Sequence, residues 1–480
     1  MKKILNYIDG ELKTPQSGKF LDNYCPGTGE AYSLVPDSDE NDVEEALKAA
    51  KKAFPEWSTC GIETRSRTLH KIADLIEANL DQLAAAESED NGKPVKLATT
   101  VDIPRASANF RFFASAIVNQ SSEAHITENQ AVNYTHRHPL GVVGCISPWN
   151  LPLYLFSWKI APALATGNCV IAKPSELTPM TAFLLSELCV EAGLPKGVLN
   201  IVHGLGNKVG EAMVSHPEIS AISFTGGTAT GKRIASIAAP MFKKLSLELG
   251  GKNPNIVFAD CDFEKAVNTS VRSSFSNQGE ICLCGSRIYI EESIYDQFKV
   301  EFVERVSTLE VGDPKGSSTD LGALVSQGHL EKVESYVKLA QNEGGTILTG
   351  GERVQLNGEN AGGYFYRPTV IEGLDSLCRT NQEEIFGPVV TLIPFSSVEE
   401  VVDEANSTQY GLSATIWTEN ITRAHQLAGQ LRSGIIWINC WLFRDLRTPF
   451  GGMKQSGVGR EGGSEALRFF TEPQNVCVKI

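Results

Sequence analysis

Near-continuous apolar strands alternating with helical runs predict an α/β protein built on parallel sheets covered on both faces. Three observations carry this. Between Gly141 and Ala239 the chain reads strand then helix four times over. A second block of the same kind starts near Gly250. A polar stretch, residues 119–138, precedes the first block and has too few apolar residues to pack as a layer.

Taken in order, NYIDGEL (Asn6 to Leu12) reads as an opening hairpin turned at Asp9-Gly10. From Glu40 to Ala86 the apolar residues Val43, Ala46, Leu47, Ala50, then Leu69, Ile72, Ala73 and Ile76 fall at helical spacing. A further helix carries Asp102, Arg105 and Arg111 among Phe110, Phe112 and Phe113, and such charges are by default solvated or salt-bridged. AVNYTHR (131–137) reads as a strand. Its His136 and the following His138 lack a third ligand, so no metal site is expected.

GVVGCIS, CVIAK, VLNIVHG and AISFTG then read as strands. Helices are expected over 155–166, 178–192, 208–215 and 231–239. This is a dinucleotide-binding layout. The second block reads as the strands NIVFAD, RIYIEES, TVIEG, VVTLIPF, ATIWT and GIIWINC with helices between them. The chain ends in NVCVKI, an alternating strand suited to pairing with another subunit's edge.

With 480 residues the chain is too long for one core, and 42% hydrophobic with 21% charged residues is ordinary for a soluble protein. A net charge of −14 argues against a nucleic-acid or anionic-membrane surface. Eleven cysteines without a spaced framework read as reduced thiols, which with the absence of a signal peptide or membrane-length segment points to a cytoplasmic protein.

The chemistry concentrates in a few stretches. In FSNQGEICLCG (Phe275 to Gly285) a glycine-broken turn precedes Cys282 and Cys284, a geometry that suits a thiol nucleophile with backbone N–H groups nearby. Buried small hydrophobes are the commoner fate of free cysteines. In SPWNLPL, Pro148 and Pro152 stiffen a loop holding Trp149 and Asn150, whose amide suits an oxyanion or simply a turn. In SLELGGKNP, Glu248 is a general base or a solvated strand-end charge. AKPSE places Lys173 and Glu176 just past a strand's C-terminal end, where a carboxylate accepts from ribose hydroxyls and repels a 2′-phosphate, favouring NAD over NADP. GGTATG opens a helix whose free N–H groups suit a pyrophosphate. GLGNKVG lacks fingerprint spacing and carries little.

SPWNLPL, AKPSE, FTGGTATG, LELGGKNP, FSNQGEIC, EEIFGPVV and PFGGMKQSGVGRE occur together and in this order. In that respect the chain resembles the aldehyde dehydrogenase superfamily along nearly its whole length. The resemblance implies a Rossmann-type cofactor domain (1–118 and 139–249), an α/β catalytic domain (250–440) and a small β oligomerisation arm (119–138 and 460–480). It implies Cys282 as nucleophile, Asn150 with the Cys282 N–H as oxyanion donors, and Glu248 as the base that hydrolyses a thioester; relatives that pass the acyl group to coenzyme A generally lack this Glu. Cys284 matches no required position. NAD is the implied cofactor, with Lys173 and Glu176 at the adenosine ribose. Pro148, Trp149, Thr225, Gly226 and Gly227 line its path, with a frequent family Ser replaced by Gly227, and Glu384 and Phe386 lie at the nicotinamide end. A homodimer or homotetramer is implied.

Within the superfamily, NCWLFRDLRTPFGG from Asn439 looks most like the branch acting on hydroxymuconic and aminomuconic semialdehydes. An aldehyde that bears a carboxylate needs a cation at the far end of its pocket, and Arg105 and Arg444 are the candidates, with Arg447 third. Ion pairing of these arginines to Asp102 or Asp445 is the competing expectation. A small aliphatic or betaine-type aldehyde, a thiol acyltransferase lacking a nicotinamide, and a non-catalytic family member are the functional alternatives.

Overall fold

The computed structural model describes residues 1–480. Five parallel strands form the middle of the first sheet in the spatial order Lys244–Glu248, Ala221–Thr225, Val142–Ile146, Cys169–Lys173 and Leu199–Ile201. The chain runs outward from Val142–Ile146 to one side, then returns to fill the other. The switch in direction therefore lies between Val142–Ile146 and Ala221–Thr225, and such a switch opens a crevice at the strands' C-terminal ends.

The opening hairpin forms as expected. Asn6–Ile8 and Glu11–Lys13 are joined by Asp9 and Gly10, both at positive φ (54° and 75°), the two-residue turn that Asp-Gly favours. It adds two antiparallel strands to the Leu199–Ile201 edge. The opposite edge holds an element with no sequence signal: Gly457–Val458 pairs antiparallel with Lys244–Glu248, placing Gly457 opposite Glu248. Two residues are too few to show a period, and this pairing returns the PFGGMKQSGVGRE stretch to the site.

Two helices begin three residues before the sequence reading expects, and both shifts matter for the crevice. One spans Pro152–Ala165, with Pro152 in its first turn where a missing N–H costs nothing, so Asn150 sits just before it. The other spans Thr228–Ala238 and has Gly227 as its N-cap. Gly231, expected to open that helix, lies inside it. A Cβ there would fall 2.5 Å from Leu249 Cδ2, so the glycine allows close packing of helix on strand end.

The second sheet has the order Thr346–Thr349, Thr369–Glu372, Val389–Phe395, Arg287–Glu291, Pro254–Val257, Ser413–Trp417 and Ile435–Ile438. All its pairs are parallel except the first. Separate apolar clusters cover its two faces, one around Phe275, Phe298 and Phe302, the other around Phe258, Tyr289 and Phe395.

The polar stretch forms an antiparallel sheet with Ala124–Thr127, Ala131–Pro139 and Thr471–Lys479. The terminal strand pairs along one side within its own chain, from Thr471↔Pro139 to Lys479↔Ala131, and forms the edge of this sheet. The helix Gly463–Phe469 buries Ala466 and Leu467 in the first core and delivers the strand beside the arm. No helix is long and apolar enough to cross a membrane.

Candidate functional site

The helix Phe263–Phe275 ends in three successive left-handed residues, Asn277 (φ 53°), Gln278 (φ 56°) and Gly279 (φ 72°). Non-glycine residues hold this conformation only when contacts over-determine it. Here they do. Asn277 Nδ2 donates to the carbonyls of Asn150 (3.1 Å) and Glu280 (3.2 Å). Gln278 Nε2 donates to Ala323 O (3.3 Å), and its Oε1 accepts from Gly322 N (3.3 Å). A Cβ on Gly279 would lie 2.2 Å from Gly387 O, so only glycine lets the loop reach the Glu384–Gly387 segment.

The turn brings Cys282 to the junction of two cavities and leaves its backbone N–H without a protein acceptor. Cys284 lines neither of these cavities; its side chain is buried and its carbonyl accepts from Asn253 Nδ2. Burial, then the nearby carboxyls of Glu384 and Glu248, push the Cys282 thiol well up, and Arg444 opposes them.

Asn150 lies in the same crevice, 3% exposed. Its Nδ2 donates to the Glu280 carbonyl at 2.9 Å, which fixes the amide plane and leaves its second N–H free of any protein partner. The loop is braced from behind. Lys93 Nζ, fully buried and ion-paired to Asp102, donates to Asn150 O (3.0 Å), and Asn91 Nδ2 donates to Trp149 O (3.0 Å).

Glu248 ends its strand beneath Cys282, and both line a cavity of about 330 Å³. It is 3% exposed and neither carboxyl oxygen has a protein partner. Burial and the nearby Glu461 push its carboxyl well above the ordinary range, against Lys159, Arg460 and Arg444. Glu461 is itself buried, paired to Lys159 (2.7 Å) and bonded by Ser223 Oγ (3.1 Å). Gly451 keeps space open, since a Cβ there would meet Glu248 Oε1 at 2.7 Å.

On the other side of Cys282 a cavity of about 260 Å³ is lined by Pro148, Trp149, Thr225, Gly226, Gly227, Glu384 and Phe386. Glu384 Oε1 accepts from Gly251 N (2.8 Å), and Gly250 must lack a Cβ because one would fall 2.3 Å from Glu384 Oε2. Phe386, at φ 63°, sets its ring edge-on to Trp149, 5.2 Å between centroids. This cavity leads past Thr225–Gly227 into a larger one of about 620 Å³ that contains Lys173 and Glu176. Glu176 Oε2 accepts from Lys173 Nζ at 3.0 Å.

His329 and Lys332 also line the 260 Å³ cavity, and neither carries a sequence signal. Both come from the helix Gln327–Asn342 of the second sheet's half, far from any motif. Burial drives the His329 pKa down to about 4, so the ring is neutral; Nε2, 2.7 Å from Phe386 O, is the protonated nitrogen because a carbonyl only accepts.

The three expected arginines separate. Arg444 lines the 330 Å³ cavity, bonds Tyr154 Oη at 2.7 Å and stacks over Phe450 (3.9 Å). Arg105 does not line it but stacks over the Tyr154 ring (5.4 Å), with Nε and Nη2 buried and unpartnered. Arg447 is exposed and paired to Asp445 (2.5 Å). Asp102 pairs with Lys93, so it is not the partner of Arg105.

The family model for the aldehyde dehydrogenase family matches residues 13–476. The chain belongs to the aldehyde dehydrogenase family. A 2-aminomuconic semialdehyde dehydrogenase of Danio rerio is 52% identical, covering 99% of this chain and 98% of the relative. A 2-hydroxymuconic semialdehyde dehydrogenase of Pseudomonas sp. (strain CF600) is 46% identical, with all of both chains covered. Among solved structures, the NAD+ complex of an aldehyde dehydrogenase from Bacillus cereus superposes with a TM-score of 0.97 at 40% identity, covering 100% of this chain and 97% of that one.

In this family member the loop at Gly279 is a tight point of the site. Gly279→Ala is expected to destabilise the fold by about 1–3 kcal/mol, since it adds left-handed strain and a backbone clash. Denaturant unfolding measures it; an unchanged midpoint contradicts the close approach.

Proposed function

We propose that this protein oxidises a carboxylated unsaturated semialdehyde, of the 2-aminomuconic or 2-hydroxymuconic kind, to the acid with NAD. The observation that carries the substrate class is Arg444. It lies in the cavity shared by Cys282 and Glu248, has no carboxylate partner, and is held by Tyr154 and Phe450. A guanidinium fixed in an apolar-walled cavity is a two-pronged receptor for a carboxylate. Arg105, behind Tyr154, adds positive potential. The similarity to muconic semialdehyde dehydrogenases supports the same reading.

The residues present fit NAD. Thr225 Oγ1 and Thr228 Oγ1 are buried and unpartnered, and a Cβ on Gly227 would meet nothing within 4 Å, so the helix N-terminus at Thr228 opens onto free space. Lys173 and Glu176 would hold the adenosine ribose, and Glu384 and Phe386 the nicotinamide end. Bound there, NAD supplies the hydride acceptor.

Cys282, once deprotonated, adds to the aldehyde carbon. The resulting oxyanion meets the unclaimed Cys282 N–H and the free N–H of Asn150, two donors already oriented before reaction. After the acyl group is on sulfur, Glu248 takes a proton from the attacking water; its two unpartnered oxygens leave it able to bind that water. The exposed arm sheet is the element we assign to homo-oligomer contact.

Glu248 works as a base only when ionised. A carboxyl with a raised pKa is protonated below that value, so activity is lost as pH falls through it. Glu461→Gln removes a negative neighbour and leaves Lys159 positive, both of which lower the Glu248 pKa. The acid limb of kcat is therefore expected to move to lower pH, as measured by a pH–rate profile. A limb that stays or moves up contradicts the coupling.

The substrate reading is tested by Arg444→Ala on a matched pair of aldehydes, one carboxylated and one neutral. Loss of a charge-assisted contact is expected to lower the carboxylated-to-neutral ratio of kcat/KM by about 1.5–3 kcal/mol. An unchanged ratio overturns the reading.

A further inference from the structure

A second arginine shares the cavity of Arg444, and neither a motif nor an ion pair accounts for it. Arg272 lies in the last turn of the helix Phe263–Phe275 and lines the 330 Å³ cavity. It is exposed, as is Val101, which also lines the cavity, while Arg444 is half-buried, so Arg272 marks the rim and Arg444 the interior. Its guanidinium is held by Trp441: Nη2 lies 3.4 Å from Trp441 O and the group sits 5.8 Å over the indole ring. Trp441 is tied in turn to the loop of Cys282, donating from Nε1 to Leu283 O at 3.0 Å.

Arg272 has no carboxylate within ion-pairing distance, and the same is true of Arg105 and Arg444. In a chain with 57 acidic and 43 basic residues, most surface arginines do find one: Arg111, Arg233, Arg305, Arg353, Arg367 and Arg379 are all paired. Two unpaired guanidinium groups lining one cavity, with Arg105 stacked on its Tyr154, leave a local positive potential inside a globally negative field. An anionic substrate approaching a protein of net charge −14 is repelled until it meets such a focus.

We propose that Arg272 is a specificity-determining residue that captures the substrate carboxylate at the rim and passes it inward to Arg444. The proposal rests on the carboxylated-substrate reading above. A rim charge acts mainly on the rate of productive encounter and on its salt dependence, whereas an interior charge acts on retention.

The test measures kcat/KM for a carboxylated semialdehyde and a neutral analogue across ionic strength, for the unaltered protein, Arg272→Gln, Arg272→Lys and Arg444→Ala. Arg272→Gln is expected to lower the carboxylated-to-neutral ratio about 10-fold at low salt and to flatten its decline with added salt. Arg272→Lys, which keeps the charge, is expected to retain that decline. A lowered ratio for Arg444→Ala with an unchanged ratio and salt slope for Arg272→Gln overturns this inference and leaves the substrate reading standing. Unchanged ratios for both overturn both. Equal loss of Arg272→Gln activity on the two aldehydes makes Arg272 a support for Trp441 and also overturns the capture role.

Discussion

The carbonyl of Glu280 accepts hydrogen bonds from two side chains at once, Asn150 at 2.9 Å and Asn277 at 3.2 Å. Asn277 also reaches the Asn150 carbonyl. These three bonds join the loop that leaves the first sheet to the loop that follows the second sheet's first helix. Each loop alone is a turn with strained or proline-stiffened backbone. Bonded together, they fix the Asn150 amide beside the free N–H of Cys282. Much else serves that junction: the buried Lys93–Asp102 pair holds the Asn150 loop from one side, and Gln278 holds the Cys282 loop from the other.

Burial then decides the electrostatics. Cys282 and Glu248 are both pushed upward chiefly by loss of solvent, and each negative form disfavours the other. The site favours a neutral thiol and a neutral carboxyl until a proton leaves. Positive charge from Lys159, Arg460 and Arg444 opposes this at Glu248. The opposite cavity, with neutral His329 and buried Glu384, has a different character. In the proposed reaction, a cofactor and an anionic substrate reaching the same sulfur from two sides meet different surroundings.

Local chemistry made much of this legible from sequence. The Asp-Gly turn, the apolar strands of the first sheet and the glycines beside Cys282 and Glu248 each have a short-range physical reason that a reader of sequence can state. Elements without a local period were not legible. The two-residue strand Gly457–Val458 has no pattern of its own, and the terminal strand's partner depended on where the helix Gly463–Phe469 packs. His329, Lys332 and Arg272 enter the site only through tertiary packing of ordinary amphipathic helices. Arg105 illustrates the converse: its helix is legible in the sequence, but that its guanidinium stacks on Tyr154 and does not line the cavity is a fact of packing.

The central claim is that Cys282 carries the acyl group and Glu248 releases it. The most direct test mixes Glu248→Ala protein with aldehyde and NAD, quenches it, and locates the added mass by peptide mass spectrometry. Removing a general base slows the step it serves by about 10²–10⁴-fold, so the acyl adduct is expected to accumulate on Cys282 with about one equivalent of reduced cofactor formed in a burst. An adduct on Cys284, or steady turnover without an adduct, would contradict it.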